Sequence, residues 1–317
     1  MKVTLKTSAV NYDDVLFQQI DQLCSPSVAA GHQLFSKQQK IANIQCGRPP
    51  KYVGEPVVLY HPIFSDFLQD CEKDDYVDKT LCVETLKFLN TMSKFYKIEL
   101  IRQSAIADFY HFLFGKTFND GSPKNDGYIM GTSVINGISL EIPVILRDIK
   151  NEISQGSCDP VLQSAICYEK FWCGNWSGKP EGYNQIREMS VCPTFLLCSA
   201  GIVLADKIKV ETLTDMLYLV PTLDSNKLLH FAHTFSSLRH ALDSPTTSHY
   251  FPYHNTFNGI TFTYSAHISP LVFSANSTNE NYIIKYTQHY NGEVHKLCEN
   301  HGGSPQLFEV CKGIIHG

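Results

Sequence analysis

Two apolar stretches, YIMGTSVI and ISLEIPVILRDIK, flank the dipeptide Asn136-Gly137. Asn-Gly supplies the positive φ angles of a tight two-residue turn, so the stretches are expected to fold back on each other as a hairpin. The second arm runs apolar up to a charged end that contains Asp148 and Lys150. Beyond the loop NEISQGSC, Asp159-Pro160 joins a good N-cap to a good first helical residue, which predicts a helix from Pro160 to about Trp172. CPTFLLCSAG, from Cys192 to Gly201, reads as a buried strand. IVLADKIKVETLTDMLYL alternates about a turn at Ala205-Asp206, like a second hairpin. Strands and a helix in that order confine this region to an α/β or α+β layered structure.

Helices precede it. Leu81 to Tyr96 carries Cys82, Leu86 and Leu89 on one face, with Phe88, Met92 and Phe95 beside them. A second helix is expected over Glu99 to Phe114, apolar at Ile98, Ala105, Phe109 and Phe112. A more polar stripe of Glu99, Gln103, Ile106 and Tyr110 runs alongside. After the central region, Leu228 to Leu242 forms an amphipathic helix. The chain therefore reads as an N-terminal helical and loop segment over 1–54, a main domain over 55–245, a polar Pro-containing linker over 246–260 and a small β-rich unit over 261–317. In that last unit ITFTYSA, LVFSA and NYIIKYTQ read as strands and NGEVHKLCENHG as a helix.

Composition narrows the function classes. With 317 residues, 43% of them apolar and 18% charged, the chain can build a real core, which excludes wholesale disorder, collagen and a coiled coil. No apolar run is long enough to span a bilayer, and the first residues lack a secretory pattern, so no membrane partner is expected. The 11 cysteines, without any C-x-x-C, read as reduced thiols of a cytoplasmic or nuclear protein. A net charge of −5 argues against a protein that coats nucleic acid, though not against an enzyme that grips it in one groove.

The chemistry-bearing residues cluster around the hairpin. Asp126-Gly127 closes the loop before its first arm, and Asp148-x-Lys150 closes its second. Two carboxylates supply the hard oxygen ligands that Mg²⁺ prefers. A lysine on the same strand face can orient water or neutralise a phosphate. Period two puts Asp148 and Lys150 on one side, and Glu152 too if the strand continues.

This ordered set resembles the PD-(D/E)XK nuclease superfamily, the restriction-endonuclease-like fold. The resemblance implies Mg²⁺ or Mn²⁺ held by Asp126 and Asp148, with Lys150 at the phosphate or water. Glu99, from the preceding helix, is implied as an accessory acid and metal ligand, with Glu84 as the weaker candidate. Gln163, one turn into the following helix, is implied to support the site. Tyr168 lies about 140° further round that helix and points away from Gln163.

The string DIKNEISQGSCDPVLQSAICYEKF, with MSVCPTFLLCSAG, looks like the nuclease-like module of Crinkler-type effector proteins and related fungal multidomain proteins, over roughly residues 55 to 245. That group carries an EVKNE strand, then G-x-x-DP-x-x-Q, then a CP strand; Asp148 stands where it more often has Glu. The resemblance implies a Mg²⁺-dependent nuclease acting on DNA or RNA. The alternative is a catalytically decayed binding or scaffold module whose protein partners are open. The tail from Leu271 resembles the start of a protein-kinase small lobe, with Lys285 at the V-A-I-K lysine and Glu293 as its ion-pair partner. No G-x-G-x-x-G precedes Lys285, and no H-R-D or D-F-G follows it. A truncated or degenerate lobe is implied, with neither kinase activity nor ATP expected. A kinase fragment that needs a missing large lobe is the third alternative.

Other candidates read as structural. His230, His233 and His240 share a helix, but no H-E-x-x-H or cysteine pair completes a zinc site. Cys192, Cys198 and Trp172 read as core, and Trp176 as part of an exposed connection.

Overall fold

The computed structural model describes residues 25–41, 44–47, 50–52, 54–73, 76–119, 127–135, 138–149, 158–173, 192–197, 200–203, 211–214, 224–243, 252–257, 259–269, 271–277, 280–287 and 290–301. The chain divides into two compact units, Met1–Tyr250 and Phe251–Gly317.

The first unit opens with helices α1 (Pro26–Ala29), α2 (His32–Ile41), α3 (Pro62–Glu72), α4 (Lys79–Met92), α5 (Glu99–Ala105) and α6 (Ala107–Phe114). Strands β1 (Tyr128–Ile135) and β2 (Ile138–Leu146) follow, then α7 (Pro160–Cys173), β3 (Thr194–Leu197), β4 (Ala200–Val203), β5 (Glu211–Thr212) and α8 (Ser225–Asp243). The five strands form one mixed sheet in sequence order. β1 and β2 are antiparallel, with Ile135 opposite Ile138 across Asn136-Gly137. β2 and β3 are parallel, so the chain between them crosses over, and α7 lies on that crossover. β3–β4 and β4–β5 are antiparallel.

Pro143 lies inside β2 opposite Met130, and the ladder shifts register between Ile129 and Met130. Proline has no N–H to give a ladder, and a bulge is where a sheet accommodates it. Gly131 sits beside that irregularity; a Cβ there would stand 2.6 Å from Val144 Cγ1.

Helices cover both faces of the sheet. On one face Ile142, Leu146 and Leu196 pack with Ala29, Phe35, Leu162 and Ile166 of α1, α2 and α7. On the other, Phe195 meets Phe64 and Phe67 of α3 edge-on or tilted, at centroid distances of 5.4 and 5.5 Å. Leu197 and Ile149 join Phe88, Phe109, Phe231 and Phe235 from α4, α6 and α8 on that side. A sheet covered on both faces explains why β2 reads as a nearly unbroken apolar run.

The single helix expected over Glu99–Phe114 is two, broken at Ile106 with φ −107° and ψ 1°. The break resets the helical phase. Ile106 and Tyr110, expected on the polar stripe, are buried with Phe109 and Leu113, while Ile98 and Phe112 are exposed. Helix α4 ends at Met92, short of the expected Tyr96; its buried face is Leu81, Thr85, Phe88 and Leu89, Leu86 faces solvent, and Phe95, beyond its end, is exposed. CPTFLLCSAG is not one strand; it contributes β3 and the start of β4, which pair with each other. The expected turn at Ala205-Asp206 lies outside the described residues, although β4 and β5 on either side of it are paired.

The second unit contains a two-stranded ribbon, β6 (Thr256–Phe257) and β7 (Ile260–Thr261), and a three-stranded antiparallel sheet of β8 (Thr263–Ser269), β9 (Val272–Asn276) and β10 (Asn281–Lys285). Helix α9 (Gly292–Asn300) follows. Phe262, Tyr264, Phe273 and Ala275 form a small core, and the Tyr264 and Tyr286 hydroxyls share a 2.6 Å hydrogen bond at its edge. Asn291 caps α9 by accepting from the Glu293 and Val294 N–H groups, and no residue of α9 is buried. No described helix is long and apolar enough to cross a membrane.

Candidate functional site: a buried carboxylate at the end of β2

The last residues of β1 and β2 to pair are Tyr128 and Leu146. One step further, the Arg147 N–H donates to the Gly127 carbonyl at 2.9 Å. The chain neighbours of Asp126 and Asp148 are therefore hydrogen-bonded to each other, although Asp126 itself lies outside the described residues. Gly127 has φ +139°, and a Cβ there would stand 2.9 Å from Phe118 Cβ and 3.1 Å from Arg147 Nη2. Both the backbone angle and the close approach require glycine.

Arg147, Asp148 and Ile149 have left the ladder but keep its alternation. The Arg147 guanidinium lies 4.1 Å from the Phe118 ring centroid and 5.4 Å from that of Tyr110. Ile149 joins the same cluster as Tyr110 and Phe118. Asp148 turns the other way, toward α7, where Gln163 Nε2 donates to its Oδ1 at 3.3 Å. Asp148 is 4% exposed and Gln163 is also buried. Gln163 Oε1 in turn accepts from the Cys158 thiol at 3.1 Å. The start of α7 fixes this geometry: Asp159 Oδ1 accepts from the Val161 N–H at 2.8 Å, and the Gln163 N–H donates to the Asp159 carbonyl. That is the N-cap expected of Asp159-Pro160, and it sets Gln163 one turn into the helix.

Burial governs the titrations nearby. It pushes the Tyr110 hydroxyl up to about 12, against the pull of the Arg147 charge. It also pushes Glu169, on α7, up to about 7, against the hydrogen bond from Gln38 and the charge of Lys170. Gln38 Nε2 donates to Glu169 Oε2 at 3.2 Å.

Lys150 and Glu152 lie, with Asp126, outside the described residues. Glu99 opens α5, half-buried in its first turn. Glu84 is taken up by Lys87 in a 2.6 Å ion pair on the α4 surface. Among the described residues no group of three or more His, Cys, Asp or Glu side chains could hold a metal ion. The Tyr168 hydroxyl donates to the Cys192 carbonyl at 2.8 Å, ahead of β3, rather than to the Asp148–Gln163 pair. Trp172 and Cys192 are core. Trp176 and Cys198 lie outside the described residues. Of the helical histidines, His230 is exposed and His240 Nδ1 is 3.7 Å from Asp70 Oδ2.

In the second unit Lys285 and Glu293 are both exposed, and no ion pair joins them. The Lys285 ammonium lies 5.9 Å from the centroid of Tyr290 instead.

Sequence reasoning missed Arg147, Glu169 and Cys158. Arg147 stood in the quoted strand, and its one-residue offset from Asp148, on a strand of period two, could have flagged it as facing the opposite layer. The rings that receive it come from α6 and the loop beyond, which no local pattern connects to β2. Comparison with known proteins finds no match to a family model, to a curated protein or to a solved structure.

Proposed function

We propose that the first unit is a restriction-endonuclease-like module that cleaves nucleic-acid phosphodiesters with Mg²⁺ or Mn²⁺. The observation that carries this reading is the hydrogen bond between the Arg147 N–H and the Gly127 carbonyl, which ties together the chain neighbours of both aspartates. The reading requires that Asp126 and Asp148, the next residues beyond that hydrogen bond, also come together. Residues directly opposed in an antiparallel pair carry Cβ atoms about 4.5–5.5 Å apart on one face, close enough for two carboxylates to share an ion. Lys150 enters this reading from the sequence alone, where period two sets it on the same side as Asp148.

In this reading Asp126 and Asp148 hold the ion, Glu99 is an accessory acid, and Gln163 steadies the Asp148 carboxylate. Lys150 neutralises the phosphate or positions water. The ion, when bound, polarises the phosphate and acidifies a water. The hairpin, crossover helix and parallel strand succeed one another in the order the resemblance calls for, which supports the reading.

A second reading, a non-catalytic binding or scaffold module, is favoured by one observation: Asp148 is 4% exposed and already engaged by Gln163. In the second unit, three antiparallel strands followed by a helix agree with a kinase-like small lobe. Lys285 and Glu293 are not ion-paired with each other among the described residues; the reading of this unit as a remnant rests on the missing G-x-G-x-x-G, H-R-D and D-F-G motifs.

The test is cleavage of single- and double-stranded DNA and RNA by the full chain with Mg²⁺ or Mn²⁺. Lys150→Ala is expected to lower the rate about 100-fold or more without lowering the melting temperature. Undiminished cleavage by that variant overturns the assignment. A wild-type chain that neither cleaves nor binds Mn²⁺ leaves the scaffold reading.

A further inference from the structure

We propose that Cys158 is a positioning residue for the Asp148 carboxylate, acting by fixing which way the Gln163 amide points. Its consequence for metal binding rests on the nuclease reading; the positioning itself does not.

A primary amide has a donor end and an acceptor end, and rotation about its last torsion exchanges them. In the structure the NH₂ end of Gln163 faces Asp148, donating to its Oδ1 at 3.3 Å, and that carboxylate oxygen is the acceptor. The carbonyl end then needs a donor, and Cys158 supplies it: Sγ–H to Oε1 at 3.1 Å. Gln163 is 6% exposed, so water is a poor substitute on either side. Without the thiol, nothing in the Cys158–Gln163 contact opposes the flipped amide, in which carbonyl oxygen would face carboxylate oxygen.

The thiol is held in turn. The backbone of Cys158 forms a β-bridge with Gly31, at the junction of α1 and α2, and the next residue, Asp159, caps α7. A chain of contacts thus runs from Gly31 through Cys158 and Gln163 to Asp148, and links the N-terminal helices to the candidate site.

The hydroxyl of serine keeps the donor and alanine removes it. In the full chain labelled with ¹⁵N-glutamine, the Gln163 side-chain amide signals are identified by their loss in Gln163→Met. Cys158→Ala is expected to move them and Cys158→Ser to leave them near their wild-type positions. Mn²⁺ titration followed by thermal stabilisation is expected to show a half-saturation concentration raised about tenfold in Cys158→Ala and restored in Cys158→Ser. Should Cys158→Ala not fold, Cys158→Val, which fills the space and lacks the donor, takes its place. Unmoved Gln163 amide signals in the donor-less variant overturn the proposal, and so does an unchanged half-saturation. If the wild-type chain takes up no Mn²⁺, the nuclease reading fails, and the amide signals alone decide whether Cys158 positions Gln163.

Discussion

Ile145 in β2 and Ile283 in β10 are both strand isoleucines, yet the first is 0% exposed and the second 57%. The sheet of the first unit lies between two layers of helices, so every side chain at the end of β2 is enclosed. The charged ones must then be matched: Arg147 lies over two aromatic rings, and Asp148 accepts from an amide. In the second unit β10 alternates exposed and half-buried residues, and its lysine points to solvent over one ring. Polar groups enclosed on both sides have one geometry; those at an open face have many. That difference is why the candidate chemistry is sought in the first unit.

The contrast can be broken most simply at its two isoleucines. Ile145→Ala is expected to cost about 2–5 kcal/mol, by lost transfer energy and the cavity left behind. Both tryptophans precede Tyr250, so denaturant unfolding followed by their fluorescence reports on the first unit. A loss below about 1 kcal/mol would mean that this sheet is not closely packed on both faces.

Glu169 sharpens the same point through pH. Its carboxyl, 2% exposed, is pushed by burial from 4.5 to about 7. The folded chain therefore holds that proton more tightly than the unfolded chain. The contribution to stability is full below pH 4.5 and is lost as pH rises through about 7. At about 1.36 kcal/mol per tenfold, wild type should lose roughly 3 kcal/mol across that window. Glu169→Gln should not, so unfolding measured at about pH 4 and pH 8 should show the variant gaining on wild type as pH rises. Parallel curves would contradict the enclosure of Glu169.

The second unit should respond more weakly. Asn291→Ala removes the cap of a helix that buries no residue, and is expected to cost about 1 kcal/mol of local stability, read as faster amide hydrogen exchange over 292–300. Ile283→Ala, on the open face, should change stability by no more than about 0.5 kcal/mol. A loss like that of Ile145→Ala would show that its face is covered.

What was legible in the sequence was local. Asn136-Gly137 announces its hairpin because the turn chemistry sits in two adjacent residues. Asp159-Pro160 announces α7 because cap and first residue are neighbours, and the Val161 N–H does bond to Asp159. The break at Ile106 was not legible: a helix that stops and restarts leaves both halves with helical periodicity, so one continuous phase assigned Ile106 and Tyr110 to the wrong face. The bracing around Asp148 was only partly legible. Gln163 came from a resemblance and is in hydrogen-bonding contact with Asp148, whereas Cys158 lay in a loop without periodicity. Arg147 is fixed by rings that are distant along the chain.

The most direct test of the central claim counts bound Mn²⁺ by electron paramagnetic resonance. The account predicts one tightly held ion per wild-type chain, lost in Asp126→Asn and in Asp148→Asn while both variants stay folded. An ion retained in either variant, or none held by wild type, would contradict it.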